Sequence, residues 1–234
     1  MAGSVTPQKA EMAAAIPKDL RSFFFDLMAT AMHLLRGTPY IYMGEELGMI
    51  DPAYTQMSDY VDVEAHNAYQ RLLRTGKTPA EAFAIVHSKA RDNSRVPMHW
   101  DASKYAGFST VKPWLMPTDQ AQINVQAELA TGAIYPYYQA LIKLRKQEPL
   151  VSAGHFAPLL LTDPQVWAYE RWLAEQPEKL LVLNNFYGTA TTIAVPAAWR
   201  GKAVTKVLGN YPTIVDQLGT QLTLQPYESL VLKG

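Results

Sequence analysis

One loop holds most of the residues that could do chemistry: "SKARDNSRVPMHWDASKYAGFS", from Ser88 to Ser109. It carries Arg91 and Arg95 four residues apart, an Asp-Asn pair and a Pro-Met-His-Trp-Asp run. Neither a helical nor a strand period runs through it. So many hydrogen-bonding and aromatic side chains indicate a loop that holds something, because a plain connection does not need them.

Length and composition limit the classes of protein. The chain has 234 residues, 48% hydrophobic and 18% charged, with a formal net charge of +0. This is a globular composition, large enough for one big domain or two smaller ones, and it gives no support for a nucleic-acid or membrane partner. The absence of cysteine excludes disulfides and cysteine metal sites and fits a reducing compartment. With no apolar signal-peptide core and no run of about 18 apolar residues, we expect a soluble, cytoplasmic protein.

The start of the chain predicts a helix followed by a strand. A helix is expected from Asp19 to Arg36, with Gly37 as its stop. The run "TPYIYMG" that follows is β-branched and aromatic, which predicts a buried strand. This order indicates an αβ unit of a parallel sheet.

Further helices have clear start and stop signals. "SDYVDVEAHNAYQRLLRTG" predicts a helix capped by Ser58 or Asp59. In "TPAEAFAIVHSKA", Thr78 caps the helix and Glu81 completes a capping box. After an irregular stretch, "YPYYQALIKLRKQEP" predicts one more helix, which stops before Pro149.

From about Val151 the composition changes to short β-prone segments separated by Gly, Pro, Asn and Asp: "VWAYERWL", "KLLVLNNF", "TTIAVP", "AVTKVL", "TQLTLQP" and "ESLVLKG". This spacing predicts an antiparallel sandwich or barrel. We therefore expect two domains, 1–150 and 151–234. The first has a single convincing parallel strand, and one strand is not a sheet, so its helix and strand are expected to dock on something outside this chain.

Several motifs occur in one order along the chain: "GTPYIYMGEELGM", "DVEAHN", "RDNSRVPMHWD", "AGFS", "KPWL" and "INVQAEL". Together they closely resemble the C-terminal half of the α-glucosidase branch of the α-amylase superfamily, glycoside hydrolase family 13. This branch includes oligo-1,6-glucosidases, dextran glucosidases and trehalose-6-phosphate hydrolases. The resemblance implies an α/β plus β architecture: the last part of a (β/α)8 barrel, with Pro39 to Met43 as its eighth strand, followed by an antiparallel β-sandwich.

The resemblance also implies retaining hydrolysis of short α-linked gluco-oligosaccharides, α-1,6 favoured, by two carboxyl groups about 5 Å apart. In the family the catalytic Asp, Glu and Asp come from earlier barrel strands, so we expect no catalytic residue, metal or cofactor in this chain. The expected partners are an α-glucoside substrate and the N-terminal half of the barrel, or a second copy at the exposed half-barrel surface. The alternatives are a non-catalytic scaffold and a carbohydrate-binding module. The linkage stays open between α-1,6, α-1,4 and trehalose 6-phosphate.

Three residues are the expected substrate contacts. By the resemblance, Arg91 binds the glucose of the −1 subsite, and its planar guanidinium suits both a carboxylate and vicinal hydroxyls. Glu64, in "DVEAHN", matches a glutamate near the +1 subsite, although a solvent-facing helix glutamate is as plausible. Arg95 is expected to pair with the same acids or to brace Asp92, a structural role. Asp62 is expected to cap or pack.

Other polar and aromatic residues have commoner explanations. Glu45 and Glu46 follow the predicted strand, but adjacent side chains diverge and do not form a catalytic pair. A single histidine such as His99 is weak evidence for a metal. His33 is expected in the core or at the helix end. Trp114 could stack on a sugar face, but core packing is the commoner explanation. For Trp167, Tyr169 and Trp172 core packing is favoured over carbohydrate binding. Met43, Val96 and His99 replace the residues that the family pattern usually has, which fits either divergence or relaxed constraint.

Overall fold

The computed structural model describes residues 16–234. Contacts between Cα atoms divide this part of the chain into two compact units. One unit takes in Tyr42–Gly132, and the other combines Pro17–Ile41 with Ala133–Gly234. The contacts place residues 17–41 in the same unit as the β segments. The domain boundary between residues 150 and 151 stays a prediction.

The unit that contains the C-terminus combines three helices with seven strands. The helices are α1 (Arg21–His33), α5 (Ile134–Gln147) and α6 (Pro149–Ser152). The strands are β1 (His155–Leu159), β2 (Val166–Trp172), β3 (Lys179–Asn185), β4 (Thr191–Ala194), β5 (Thr205–Gly209), β6 (Gln221–Leu224) and β7 (Ser229–Lys233). Five of them form an antiparallel sheet in the order β1-β2-β3-β7-β5, and β4 pairs with β6 in a second sheet.

The alternation of side chains sends successive residues of the large sheet to opposite faces. On β3, Leu181 and Leu183 join a buried cluster with Ile193 of β4 and Leu224 of β6. This cluster is the core between the two sheets. On the opposite face, α1 packs against β3, β7 and α5, and the hydroxyls of Thr30 and Tyr137 lie 2.7 Å apart at the α1–α5 contact.

Two arginines hold the C-terminal end of α1. Arg145 donates from Nη1 to the carbonyl oxygen of His33 at 2.9 Å. Arg171, fully buried on β2, donates to the carbonyls of Leu34, Gly154 and His155. A helix leaves its last carbonyls without partners inside the helix, and here guanidinium groups from a neighbouring helix and strand satisfy them.

The predicted antiparallel β domain is confirmed: each of the six predicted segments contains a strand. The strand that the sequence pattern missed is β1, "HFAPL". Pro158 lies within it, and proline argues against a strand unless that strand is at an edge. β1 is the edge of the large sheet, which is why the proline is tolerated there.

The other unit contains α2 (Val63–Arg74), α3 (Pro79–His87) and α4 (Val125–Thr131), with 3₁₀ turns at Glu45–Leu47, Met57–Asp59 and Arg91–Arg95. A cluster around Tyr54, Tyr60, Val86 and Leu115 forms its core. The predicted capping box at α3 is confirmed, because Thr78 and Glu81 each accept a hydrogen bond from the other's backbone amide.

The predicted start of α2 at Ser58 or Asp59 is wrong. The helix begins after Asp62, whose carboxylate accepts the amide of Glu64. Asp59 instead accepts the amides of Thr55 and Gln56 and closes a separate 3₁₀ turn. Two aspartates three residues apart both suit a helix start, and the extended backbone of Tyr60 separates the turn from the helix.

The predicted buried strand at Pro39–Met43 is also wrong for this structure. These residues join no β ladder, and the side chains of Tyr40, Ile41, Tyr42 and Met43 are 83%, 40%, 42% and 47% exposed. A parallel strand is formed only when neighbours on the same sheet take up its amides and carbonyls. Within residues 16–234 no strand lies beside it.

A search of the helices within residues 16–234 finds no segment with the length and hydropathy of a membrane span.

The core between the two sheets gives a stability prediction. Replacing the fully buried Leu181 with alanine should lower the free energy of unfolding by about 2–5 kcal/mol, because it removes buried methyl groups and leaves a cavity. Urea unfolding followed by circular dichroism measures this. Leu161→Ala, at a leucine that is 80% exposed, is the control and should change little. Equal effects of the two substitutions would contradict the assigned core.

Candidate functional site

The site is built where the loop after α3 crosses the segment before α2. Arg91 opens the 3₁₀ turn Arg91–Arg95. Its Nε donates to Asp62 Oδ2 at 2.8 Å and its Nη2 donates to Asp62 Oδ1 at 3.0 Å. This is the two-pronged geometry in which a guanidinium and a carboxylate fit best.

Arg91 also reaches the first turn of α2. Its Nη2 lies 2.8 Å from Glu64 Oε2. The side chains of Arg91 and Glu64 are 55% and 72% exposed, so both carry groups open to solvent. The described residues offer no partner to Nη1 of Arg91. A guanidinium nitrogen with two free hydrogens therefore lies beside a carboxylate with acceptor capacity to spare.

Asp62 links the helix to the arginine. Its side chain is only 8% exposed, and it accepts both from Arg91 and from the amide of Glu64 at 3.0 Å. The hydrogen bonds from Arg91 lower the pKa of the Asp62 carboxyl, against the smaller opposing effect of burial. Asp62 in turn raises the pKa of Arg91. The predicted capping role of Asp62 is confirmed, and the ion pair with Arg91 adds a role that spacing along the chain could not reveal.

Arg95 and Asp92 complete the cluster. Nη1 of Arg95 lies 3.6 Å from Asp62 Oδ2 and 3.6 Å from Asp92 Oδ1. The expected bracing of Asp92 by Arg95 is therefore present in the geometry. Asp92 is fully buried and was not among the predicted contacts, although its place next to Arg91 in the loop motif was the signal that could have found it.

Asn93, which follows Asp92 in the loop, ties the turn to the end of α3 and to Asp51. Its Nδ2 donates to the carbonyl of His87 at 2.6 Å and to Asp51 Oδ2 at 3.1 Å. The hydroxyl of Tyr60 lies 2.6 Å from Nδ1 of His87, and burial raises the pKa of that phenol. These bonds fix the turn to α3 and to the core of the unit.

A cleft of about 350 Å³ extends from Arg91 and Glu64 between α2 and α3. Its walls combine apolar side chains with charged ones: Asp62, Glu64, Ala65, Ala68, Arg71, Leu72, Ile85, Val86, Lys89, Ala90 and Arg91. An apolar surface with a few fixed polar groups is the usual form of a small-molecule site.

The other predicted residues lie apart from this cluster. Glu46 Oε2 accepts the amide of Gly44 at 2.9 Å, which orders the turn that contains Glu45. His99 is fully buried, with Nδ1 2.9 Å from the carbonyl of Ile123, so it packs the loop against the segment that contains Ile123. The expected core packing of Trp114 is wrong, because the residue is 66% exposed; the backbone bends at residues 114 and 115, and the neighbouring Leu115 takes the place in the tyrosine-rich core.

The aromatic residues of β2 occupy different environments. Tyr169 is fully buried, and its ring centroid lies 5.4 Å from that of Trp167 on the same face. Trp172 stacks on His155 of the edge strand at 5.5 Å. His33 is buried against Tyr138, as predicted. Within residues 16–234 no three His, Asp or Glu side chains are grouped as a metal site requires.

Comparison with known families agrees with the motifs. Residues 11–154 match the model of the α-amylase catalytic domain, and residues 166–231 match that of the α-amylase SusG C-terminal domain. The chain therefore belongs to the α-amylase family of glycoside hydrolases, and its homologues are glucosidases of family 13.

Individual relatives cover most of this chain. The trehalose-6-phosphate hydrolase of Bacillus subtilis is 39% identical over 215 residues, which is 88% of this chain and 37% of the relative. An oligo-1,6-glucosidase of Halalkalibacterium halodurans is 37% identical over 89% of this chain and 37% of its own length. The crystal structure of Bacillus licheniformis trehalose-6-phosphate hydrolase superposes with a TM-score of 0.85 at 36% identity, over 92% of this chain and 39% of that one. The chain thus spans 37% of the length of these curated relatives.

The Asp62–Arg91 pair predicts a pH dependence. Because the folded pKa of Asp62 is lowered, the stabilisation is present above the unfolded value of about 3.9 and is lost as the pH falls through the folded pKa. Urea unfolding from pH 7 to pH 3 should show wild type losing its advantage over Asp62→Asn as the pH falls. Glu175→Gln, which removes an exposed carboxylate, should differ little from wild type throughout. An advantage over Asp62→Asn that is independent of pH would contradict the pair.

Proposed function

We propose that this chain forms one wall of the glucose-binding site of a retaining α-glucosidase. The observation that carries the proposal is the Arg91–Asp62–Glu64 cluster, in which two carboxylates hold the guanidinium and no residue from 16 to 234 takes up its Nη1. A free pair of N–H donors beside an exposed carboxylate suits two neighbouring sugar hydroxyls, one of which accepts while the other donates.

In this proposal Arg91 binds the −1 glucose, and Glu64 binds the sugar that leaves from +1. Arg95 acts on the ligand through Asp62 and Asp92. Retaining hydrolysis needs a nucleophilic carboxylate and an acid about 5 Å apart, and we assign neither to this chain, which alone is expected to be inactive. Glu46 is unsuitable because its carboxylate is held by the amide of Gly44, so positions 45 and 46 do not offer a pair of available carboxylates.

The proposed substrate is a short α-linked gluco-oligosaccharide, with α-1,6 linkages favoured. Two kinds of relative support this range, oligo-1,6-glucosidases and trehalose-6-phosphate hydrolases. The proposed partner is the N-terminal half of the barrel. The exposed Tyr40, Ile41, Tyr42 and Met43 support it, because a contiguous run of exposed apolar side chains is the kind of surface that a protein partner covers. We also propose a cytoplasmic location, which the absence of cysteine supports.

A second function, a scaffold that no longer takes part in catalysis, is favoured by one observation. Arg91 is already neutralised by two carboxylates, so the cluster is stable without a ligand. Association with an N-terminal half without sugar binding would identify this case. Sugar binding by the chain on its own would instead indicate a carbohydrate-binding module.

Hydrolysis of isomaltose and of p-nitrophenyl α-glucoside tests the proposal. The purified chain should be inactive alone and should give activity when mixed with the matching N-terminal half. In the mixture, Arg91→Lys should raise KM about tenfold to a hundredfold, because losing a charged hydrogen bond costs about 1.5–3 kcal/mol and about 1.4 kcal/mol is a tenfold change.

Arg74→Gln is the matched control, since Arg74 is an exposed arginine on the same helix as Glu64 and lies outside the cluster. It should leave KM within about twofold. Activity of the chain alone would overturn the assignment of no catalytic residue. A mixture that assembles but neither hydrolyses nor binds these sugars would favour the scaffold.

A further inference from the structure

The carboxylate of Asp92 holds the backbone on which Asp62 is mounted. Its Oδ2 accepts two successive amides, those of Val61 and Asp62, both at 2.9 Å. Asp92 is fully buried, so water does not compete for these bonds. Two charge-assisted bonds to one buried oxygen fix the segment before α2 more firmly than either bond alone.

The two chain segments therefore hold each other in both directions. The carboxylate of Asp92 accepts the backbone amides of residues 61 and 62. Arg91, the residue before Asp92, donates to the side chain of Asp62. The carboxylate that orients Arg91 is thus itself oriented by the neighbour of Arg91. A movement of Asp92 would shift Asp62, and with it the guanidinium.

The positive charge of Arg95 offsets the repulsion between the buried carboxylates of Asp62 and Asp92. Asp62 and Asp92 face the same guanidinium nitrogen at 3.6 Å each, and without that cation their negative charges would repel in a medium of low polarity. Asp92 Oδ1 has no hydrogen-bond partner among the described residues, so the charge of Arg95 is the compensation that the structure provides for it.

We propose that Asp92, with Arg95, is a positioning residue that fixes Arg91 with its Nη1 turned towards the ligand. The assignment rests on the proposed function only in taking the sugar as that ligand; the positioning itself is a property of the unliganded chain. The proposal gives Asp92, the aspartate of the "RDNSR" run, a role in orienting Arg91 in addition to packing the loop.

The test reads the side chain of Arg91 directly. In the ¹⁵N-labelled 234-residue chain, the Nε–Hε signal of Arg91, identified by its loss in Arg91→Lys, should exchange slowly with water because Asp62 accepts that hydrogen. Asp92→Asn keeps the shape but removes the charge and places an amide group near Arg95. The exchange rate of the Arg91 signal should then rise at least tenfold.

Asp59→Asn is the matched control. Asp59 also accepts two successive amides through a single oxygen, from Thr55 and Gln56 at 3.0 and 3.1 Å, but it lies outside the Arg91 cluster. It should lose similar backbone support and leave the Arg91 exchange rate within twofold of wild type. If Asp59→Asn accelerates the Arg91 signal as much as Asp92→Asn does, the effect is general loosening and the proposal is overturned.

A folded Asp92→Asn chain whose Arg91 exchange stays within twofold of wild type would also overturn it. If Asp92→Asn does not fold, Arg95→Gln takes its place, with an expected rise of at least threefold and the same criterion for rejection. Sugar affinity is measured separately. Accelerated exchange with no sugar binding by the assembled wild type would overturn the proposed function and leave the positioning role intact.

Discussion

The geometry of the site depends on one crossing, where the segment at 61–62 meets the turn at 91–95. Each segment satisfies charged or polar groups of the other, and the carboxylates involved are largely buried. Because a buried charge without a partner is costly, the four charged residues of the crossing, Asp62, Arg91, Asp92 and Arg95, depend on one another. The helices α2 and α3 are placed by the same crossing, since α2 starts at Asp62 and α3 leads into the turn.

The two compact units use different means to become rigid. In the unit with the site, irregular chain is fixed by side-chain to backbone bonds and a cluster of tyrosines. In the other unit, antiparallel strands bury a core of mostly aliphatic side chains between two sheets. The first solution places polar groups at defined positions near solvent, as a binding site requires. The second gives the larger apolar burial, which is the dominant source of folding stability.

Local signals in the sequence predicted local structure well. Thr78 and Glu81 form their box three residues apart, and each of the six β-prone segments contains a strand. Contacts between distant segments could not be read in this way: the pairing of Asp62 with Arg91, and of Asp92 with the amides of 61–62, spans about thirty residues. The run at 39–43 failed for a related reason, because strand formation depends on neighbours that propensity does not describe. Motif resemblance named Arg91 and Glu64 but missed the buried aspartate between the segments.

Arg171 has a consequence for the history and engineering of the β part. Its guanidinium joins three carbonyls from two stretches of chain, that of Leu34 and those of the consecutive Gly154 and His155. A lysine ammonium, whose three hydrogens share one nitrogen, could not span them. A chimaera that joins strands β1–β7 to the barrel of another enzyme would therefore also need the C-terminal end of α1, which supplies the carbonyl of Leu34. Recombination between relatives should tolerate a junction that keeps α1 and β2 from one parent, and it should reject chimaeras that separate them.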